Sequence, residues 1–459
     1  FATPQPHPPW EGVRDATAPG SNAPQPKAKA LRRLDLSVLI GPGWEKGDDY
    51  LTLNIWKPSG DVRGLPVMIF IHGGGFVLGA KDAAINDGSA FARDGVLCVA
   101  INYRLGAEGF LPIPGIPTNL GLRDQIAAIR WVRERIGAFG GDADNITLFG
   151  ESAGGMSVAN LVASPLARGL FRRAIVQSGH GGMTRDPDVA QRLVRKLARM
   201  AGVTPDAAGF ASLSPARLMP LVERINLPTT RLDLRDAQGR EPMFGISRFT
   251  PVHGDDVLPL PPLDALKQGE GADIDLLIGT NAEEMNLYLL PTGLRDRLGS
   301  LLATFVLHQV QPRAGRLLKA YGMGRPGVRS GHAFAAAATD LVFRWPARRF
   351  AEEHRGTTHM YEFGWRSPRF SRSGGLGAAH GMELPFVFDT LACATGPMGL
   401  LGEAPPQALA DEVHRIWIDF ARNGSLDWPA FTREDRHVRQ LHNGETIREA
   451  VMPIAPFLP

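Results

Sequence analysis

The run NITLFGESAGG sets the tightest limit on how this chain folds. Its first half is short and largely apolar. Its second half puts Ser152 inside Gly150-Glu151-Ser152-Ala153-Gly154, ahead of an Ala-rich segment. The implied order is strand, sharp turn, helix. A side chain presented at such a turn needs Gly on both sides, because the backbones approach too closely there for a Cβ. The turn lifts the Ser152 hydroxyl clear of the sheet and aims the next helix N-terminus at any negative charge developing beside it. In a chain with 53 Gly the five-residue pattern alone is weak. The strand before it and the helix after it give it weight.

The surrounding chain repeats the same alternation. Short apolar runs bounded by Gly, Pro or Asn predict strands at Leu51–Trp56, Val67–Ile71, Val96–Asn102 and Ile146–Phe149, and further ones at Ala174–Gln177, Leu276–Gly279 and Met360–Phe363. Leu122, Ile126, Ile129, Val132 and Ile136 fall on one stripe of a helix, as do Val413, Ile416, Trp417 and Phe420 near the C-terminus. Near-continuous apolar strands alternating with helices predict an α/β chain whose mostly parallel central sheet has helices on both faces. No repeat or clean linker divides residues 1–459, so one domain is expected. Between Gln177 and Leu276 the chain reads as helical in pieces, at Val189–Met200 and Ala216–Ile225. Residues 180–272 are therefore expected to form a helical cap or substrate-binding insertion over the strand ends. The first 30 residues, rich in Pro and Ala, read as extended surface chain.

Composition excludes several other classes. With 44% hydrophobic and 21% charged residues the chain is neither disordered nor fibrous. No apolar run reaches the roughly 18 residues of a membrane-spanning helix. A net charge of +3, carried by scattered Arg, leaves no footprint for nucleic acid. Cys98 and Cys393 are the only cysteines, too few for a disulfide framework or a Cys-based zinc site.

A second Gly-rich turn stands in VMIFIHGGGFVLG, where His72 precedes Gly73, Gly74, Gly75 and Phe76. Backbone N–H groups in a loop without side chains are suited to stabilise an oxyanion. A phosphate loop is the rival reading, but the Lys-Ser/Thr such a loop needs does not follow. A Ser hydroxyl also requires a base, and the base an orienting carboxylate. His380, in GAAHGMELPFVF, follows a strand candidate within a Gly/Ala loop. Glu283 and Glu284, in LLIGTNAEE, lie just beyond a strand end. The order Ser, Glu, His is that of α/β-hydrolases.

With these residues in place, the chain resembles the type-B carboxylesterases, the group that includes para-nitrobenzyl esterases and cholinesterases. The resemblance runs through PQPHPPWEGVRDA, DDYLTLNIWKP, HGGGF, NYRLGAEGFL, NLGLRDQIAAIRWVRERIGAFGGD, LFGESAGG, QSG, FTPVHGDDVLP, HGMELPFVF and WIDFARNG, essentially the whole chain. It implies an α/β-hydrolase fold with Ser152 as nucleophile, Glu284 as acid and His380 as base. By the same carry-over Gly74, Gly75 and Ala153 supply the oxyanion hole, and Glu151 and Ser178 hold the other residues in place. The chain departs from the family in three ways. Tyr50 stands where secreted members have a Cys, Met285 where Gly often follows the acid, and the N-terminal strands expected before PQP are missing. The resemblance therefore predicts an N-terminally incomplete chain.

The activity this implies is hydrolysis of apolar, uncharged carboxylic esters through an acyl-enzyme, with no metal or organic cofactor and a small-molecule ester as the only partner. Carbamates, amides or thioesters are the alternative substrates for the same machinery. A non-catalytic adhesion member is the rival from another class, although such members lose the nucleophile. Phe76, Phe110, Leu111, Met183, Leu287 and Tyr288 lie beside the motifs and are the candidate pocket. A monomer is expected. So is a cytoplasmic home, given the lack of a disulfide framework, with secretion left open by the incomplete N-terminus.

Overall fold

Alternation along each strand decides which side of the sheet its residues cover. In a computed structural model, which describes residues 1–27, 34–44, 47–227, 229–241, 244 and 246–458 (the backbone alone at Arg372), nine strands form one sheet. They are β1 Leu53–Trp56, β2 Leu65–Ile71, β3 Leu97–Ile101, β4 Gly141–Glu151, β5 Arg173–Gln177, β6 Asp275–Asn281, β7 Thr358–Phe363, β8 His437–Gln440 and β9 Glu445–Arg448. Their order is β1-β3-β2-β4-β5-β6-β7-β8-β9. All pairings are parallel except the two edge pairs, β1 with β3 and β8 with β9.

Val67, Ile69, Ile71, Leu97, Val99, Ile146 and Leu148 face one core, and Met68, Phe70, Cys98, Ala100 and Phe149 face the other. Both cores are covered by helices, which explains why these strands are apolar throughout rather than alternating with polar residues. On the first face lie α1 (Leu120–Arg135), whose stripe Leu122, Ile126, Ile129 and Val132 is buried, and α2 (Ala153–Val162), buried along its whole length. The cover on the second face comes from the long C-terminal helix at Gln407–Asn423, through Val413, Ile416, Trp417 and Phe420.

Several expectations need correction. β4 begins five residues before Ile146 and runs through Glu151, so Ser152 directly follows the strand. β1 begins at Leu53, not Leu51. The β8–β9 hairpin was not foreseen, because HVRQ and ETIR are polar edge strands with little apolar signal. The opening segment is not all surface: Asn22, Ala23 and Gln25 are buried. Gln25 exchanges two hydrogen bonds with the backbone of Gly79, at 2.8 Å each, and so fixes the far end of the Gly-rich loop.

Within 180–272 the structure has α3 (Pro187–Ala201), capped by Asp186, and α4 (Pro215–Asn226), capped by Ser214. Residues 228, 242, 243 and 245 of that stretch lie outside the described residues. A second helical excursion separates β6 from β7. It contains α5 (Leu294–Arg297), α6 (Ser300–His308), α7 (Ala314–Ala320), α8 (Ser330–Thr339), a π-helical turn at Asp340–Arg344 and α9 (Trp345–Glu353). Among the described residues no helix is long and apolar enough to cross a membrane.

Candidate active site

Ser152 adopts φ 56° and ψ −123°, a backbone region costly for any residue with a Cβ. The close approach around it explains the glycines. A methyl group on Gly154 would collide with the carbonyl oxygen of Ile71, and one on Gly150 would meet both that oxygen and the Gly154 backbone. The Ser152 N–H donates to the Gln177 carbonyl at 2.9 Å, fixing the turn against β5.

Two loops from other strand ends meet this turn. Ser152 Oγ lies 2.8 Å from His380 Nε2, and His380 Nδ1 lies 2.7 Å from Glu284 Oε2. A carboxylate only accepts, so Nδ1 carries the proton and Nε2 is left to accept from the serine. Glu284 Oε1 in turn accepts the Asn281 N–H at 2.7 Å. Ser152, His380 and Glu284 are all buried.

Glu283 points elsewhere. Its Oε2 accepts from the Ala378 N–H at 3.1 Å and from Arg366 Nη1 at 2.5 Å, bracing the loop that carries His380. Asn281 ties the same loops together, because its Nδ2 donates to the Ala379 carbonyl at 2.7 Å and to Glu383 Oε2 at 2.5 Å. Sequence reasoning passed over Asn281 and Glu383. Both lie inside quoted motifs, and a polar residue at the buried end of a parallel strand was the signal available for Asn281.

Three buried carboxylates surround one imidazole, and the electrostatics follow from that crowding. Burial opposes the His380 imidazolium, but Glu151 and then Glu284 outweigh it and lift the His380 pKa to about 9. Burial raises the Glu151 carboxyl to about 8, and its Oε1, 3.2 Å from His380 Nε2, has no hydrogen-bond donor. Burial, then repulsion from Glu284, raises Glu383 to about 7. Ser178 directly follows β5, but its buried Oγ makes no hydrogen bond to Ser152, His380 or Glu284.

The Gly-rich loop packs directly on the turn. A methyl on Gly73 would come 2.7 Å from Glu151 Oε2 and 3.1 Å from Ser152 Cβ. Gly74 and Gly75 take φ 109° and 62°, and the Gly74 carbonyl accepts from Val77 and Leu78, closing a turn. Ala153 opens α2, where first-turn N–H groups have no acceptor within the helix. His72 stacks on Tyr103 at 4.5 Å between ring centroids, and the Tyr103 hydroxyl donates to the His72 carbonyl at 2.8 Å. Burial pushes the His72 pKa down to about 4, so it stays neutral.

The six pocket candidates separate. Tyr288 faces His380 with ring centroids 5.6 Å apart. Phe76 and Phe110 pack together at 4.7 Å within the first core, which also takes Leu111 and Met183. Leu287 packs into the core on the opposite face of the sheet. A ring the sequence did not single out lies closer to His380: Phe343, at 4.7 Å. The π-helical turn presents it, and His180 steadies that turn through a 2.8 Å contact between its Nε2 and the Val342 carbonyl. Ser247, also unforeseen, lies beside Gly75.

The family model for the carboxylesterase family matches residues 1–452. The para-nitrobenzyl esterase of Bacillus subtilis is 34% identical over 469 aligned residues, covering 97% of this chain and 88% of that protein. The liver carboxylesterase of Sus scrofa is also 34% identical, with 96% of this chain and 82% of the relative covered. A solved structure of a PNB esterase superposes with a TM-score of 0.84 at 32% identity, over 100% of this chain and 92% of that one.

Proposed function

The chain belongs to the carboxylesterase family and is an ester hydrolase of that family, and from that premise we propose that Ser152, His380 and Glu284 carry the reaction through an acyl-enzyme. The observation that supports this most is the unbroken series of contacts from Ser152 Oγ through both ring nitrogens of His380 to Glu284. Ser152 Oγ attacks the ester carbonyl carbon as His380 Nε2 takes its proton. Negative charge then collects on the former carbonyl oxygen, within reach of the N–H groups of Gly74, Gly75 and Ala153. Collapse of this intermediate breaks the bond to the alkoxide, which leaves with the proton from His380. Water then attacks the acyl carbon as it gives a proton to His380, and collapse of the second intermediate breaks the bond to Ser152 Oγ, which takes that proton back as the acid leaves. Glu284 holds the imidazole orientation and balances the imidazolium in both halves.

The rings of Phe343 and Tyr288 against His380 favour an apolar, uncharged substrate, since a charge brought among them would lose its hydration. The cap formed by 180–272 is part of the same proposal, as the element that closes over the substrate. A panel of para-nitrophenyl esters, run beside a carbamate, a thioester and an anilide, tests the substrate class. Uncharged esters are expected to have the highest kcat/KM, and esters of charged acids the lowest among the esters. Faster turnover of the carbamate, thioester or anilide would replace this reading with a specialised relative.

The crowding of carboxylates also predicts a pH effect. A raised His380 pKa keeps the ring protonated over a wider range, and the base form appears only as pH climbs through that value. Removing Glu151 takes away the largest influence favouring the imidazolium. Glu151→Gln is therefore expected to move the acidic limb of the kcat/KM profile to lower pH. A limb that stays in place, or moves up, contradicts the assigned role of Glu151.

A further inference from the structure

Helix α6, SLLATFVLH, is mostly apolar, with Ser300, Thr304 and His308 confined to one stripe at i, i+4 and i+8. It is buried on one side only. Ala303 and Leu307 are fully covered, whereas Leu301 is 88% exposed, Phe305 65% and Leu302 50%. At 100° per residue these three exposed side chains cluster on the face opposite Ala303 and Leu307. Leu294, on the neighbouring α5, is exposed as well. Helices α5, α6 and α7 pack around α8, so their outer surfaces belong to one small helical unit.

The charge of that unit is as one-sided as its apolar surface. Residues 294–329 hold seven Arg and Lys against the single carboxylate of Asp296, whereas the whole chain carries only +3. Arg297, Arg313, Arg316, Lys319, Arg325 and Arg329 are exposed. Among the described residues Arg297, Arg316, Lys319 and Arg325 have no carboxylate within ion-pair distance. Exposed large apolar side chains with a surround of unpaired cations are the signature of a helix lying in the surface of an anionic bilayer.

We propose that the outer face of α6, together with the cations that the same helical unit exposes between residues 297 and 329, docks on membranes bearing anionic lipids. Leu301, Leu302 and Phe305 would enter the boundary between headgroups and acyl chains, and the Arg and Lys side chains would meet the phosphates. A second copy of the chain fits this face less well, because a two-fold contact would set its cations against the same cations of the other copy. The unit is tied to the site by the chain: Leu294 comes ten residues after Glu284, and α8 leads into the turn that presents Phe343 to His380. Docking there would hold the ester site beside a store of apolar esters.

Sedimentation of the whole chain with vesicles tests this. Vesicles of phosphatidylcholine mixed with phosphatidylglycerol are expected to bind it, and those of phosphatidylcholine alone at least tenfold more weakly, with binding to the mixed vesicles falling as salt is raised. Leu301→Asp combined with Phe305→Asp is expected to reduce binding by about tenfold or more. Arg316→Gln with Lys319→Gln is expected to reduce binding to the mixed vesicles by roughly tenfold and to leave the phosphatidylcholine result unchanged. All four side chains are exposed, so hydrolysis of a water-soluble ester should be unaffected in both variants. Three results overturn the proposal: no binding of wild type to the mixed vesicles, equal binding by the variants, or a solution dimer that Leu301→Asp with Phe305→Asp turns into monomer.

Discussion

Glu284→Gln is expected to lower kcat by about 10⁴, while Glu283→Gln lowers it only a few-fold. The two residues are adjacent and chemically identical, so the contrast rests on geometry. Glu284 is fully buried, with one oxygen 2.7 Å from His380 Nδ1 and the other held by the Asn281 N–H. An amide in its place carries no charge to balance the imidazolium. It can also turn its NH₂ toward Nδ1, which favours the wrong tautomer and leaves Nε2 protonated when Ser152 needs it bare. Glu283 instead bonds Ala378 N–H and Arg366. Glutamine there keeps an acceptor for Ala378 and weakens only the partly exposed contact with Arg366. Steady-state kinetics of both variants decide the point, and the reverse order would make Glu283 the acid.

Ser152→Ala is expected to have the larger effect, on the order of 10⁶ in kcat. No other hydroxyl stands at the strand-to-helix turn, so the loss has no substitute. Folding should survive it. The change removes one hydroxyl hydrogen bond, a contribution of about 1 kcal/mol, and leaves no buried charge. The turn itself is built by the glycines at 150 and 154 and by the Ser152 N–H, none of which is altered. Thermal melting of the variant should therefore match wild type within a few degrees. A variant that melts normally yet retains ester turnover within tenfold would remove Ser152 from the mechanism.

What could be read from the amino acids follows a physical division. The central strands β2 to β6 were legible because each is buried on both faces, which forces an apolar run whatever its partners are. The turn at Ser152 was legible because its glycines are required by close backbone approach, a constraint local enough to leave a pattern of five residues. The residues by themselves marked Glu283 and Glu284 only as a pair, and the family resemblance singled out Glu284. Which of them turns toward His380 depends on the Asn281 N–H and on the loop at Ala378, almost a hundred residues away. Phe343 was not legible at all. It reaches His380 from a π-helical turn, which breaks the periodicity that would have marked its face, and the His180 contact that steadies this turn spans 162 residues of sequence. The same holds for Gln25, whose clamp on Gly79 lies in a segment with the composition of exposed chain. The second helical excursion was missed because its helices are short and α6 has apolar residues on both its buried and its exposed face, giving no stripe that marks the buried side.

The central claim is that Ser152 forms the covalent bond to the acyl group. Treating the protein with an excess of a para-nitrophenyl organophosphonate, then measuring the intact mass and mapping the modified peptide, tests it directly. One adduct per chain, located on Ser152 and absent from Ser152→Ala, is the predicted result. An adduct on any other residue, or one that persists undiminished in Ser152→Ala, would contradict it.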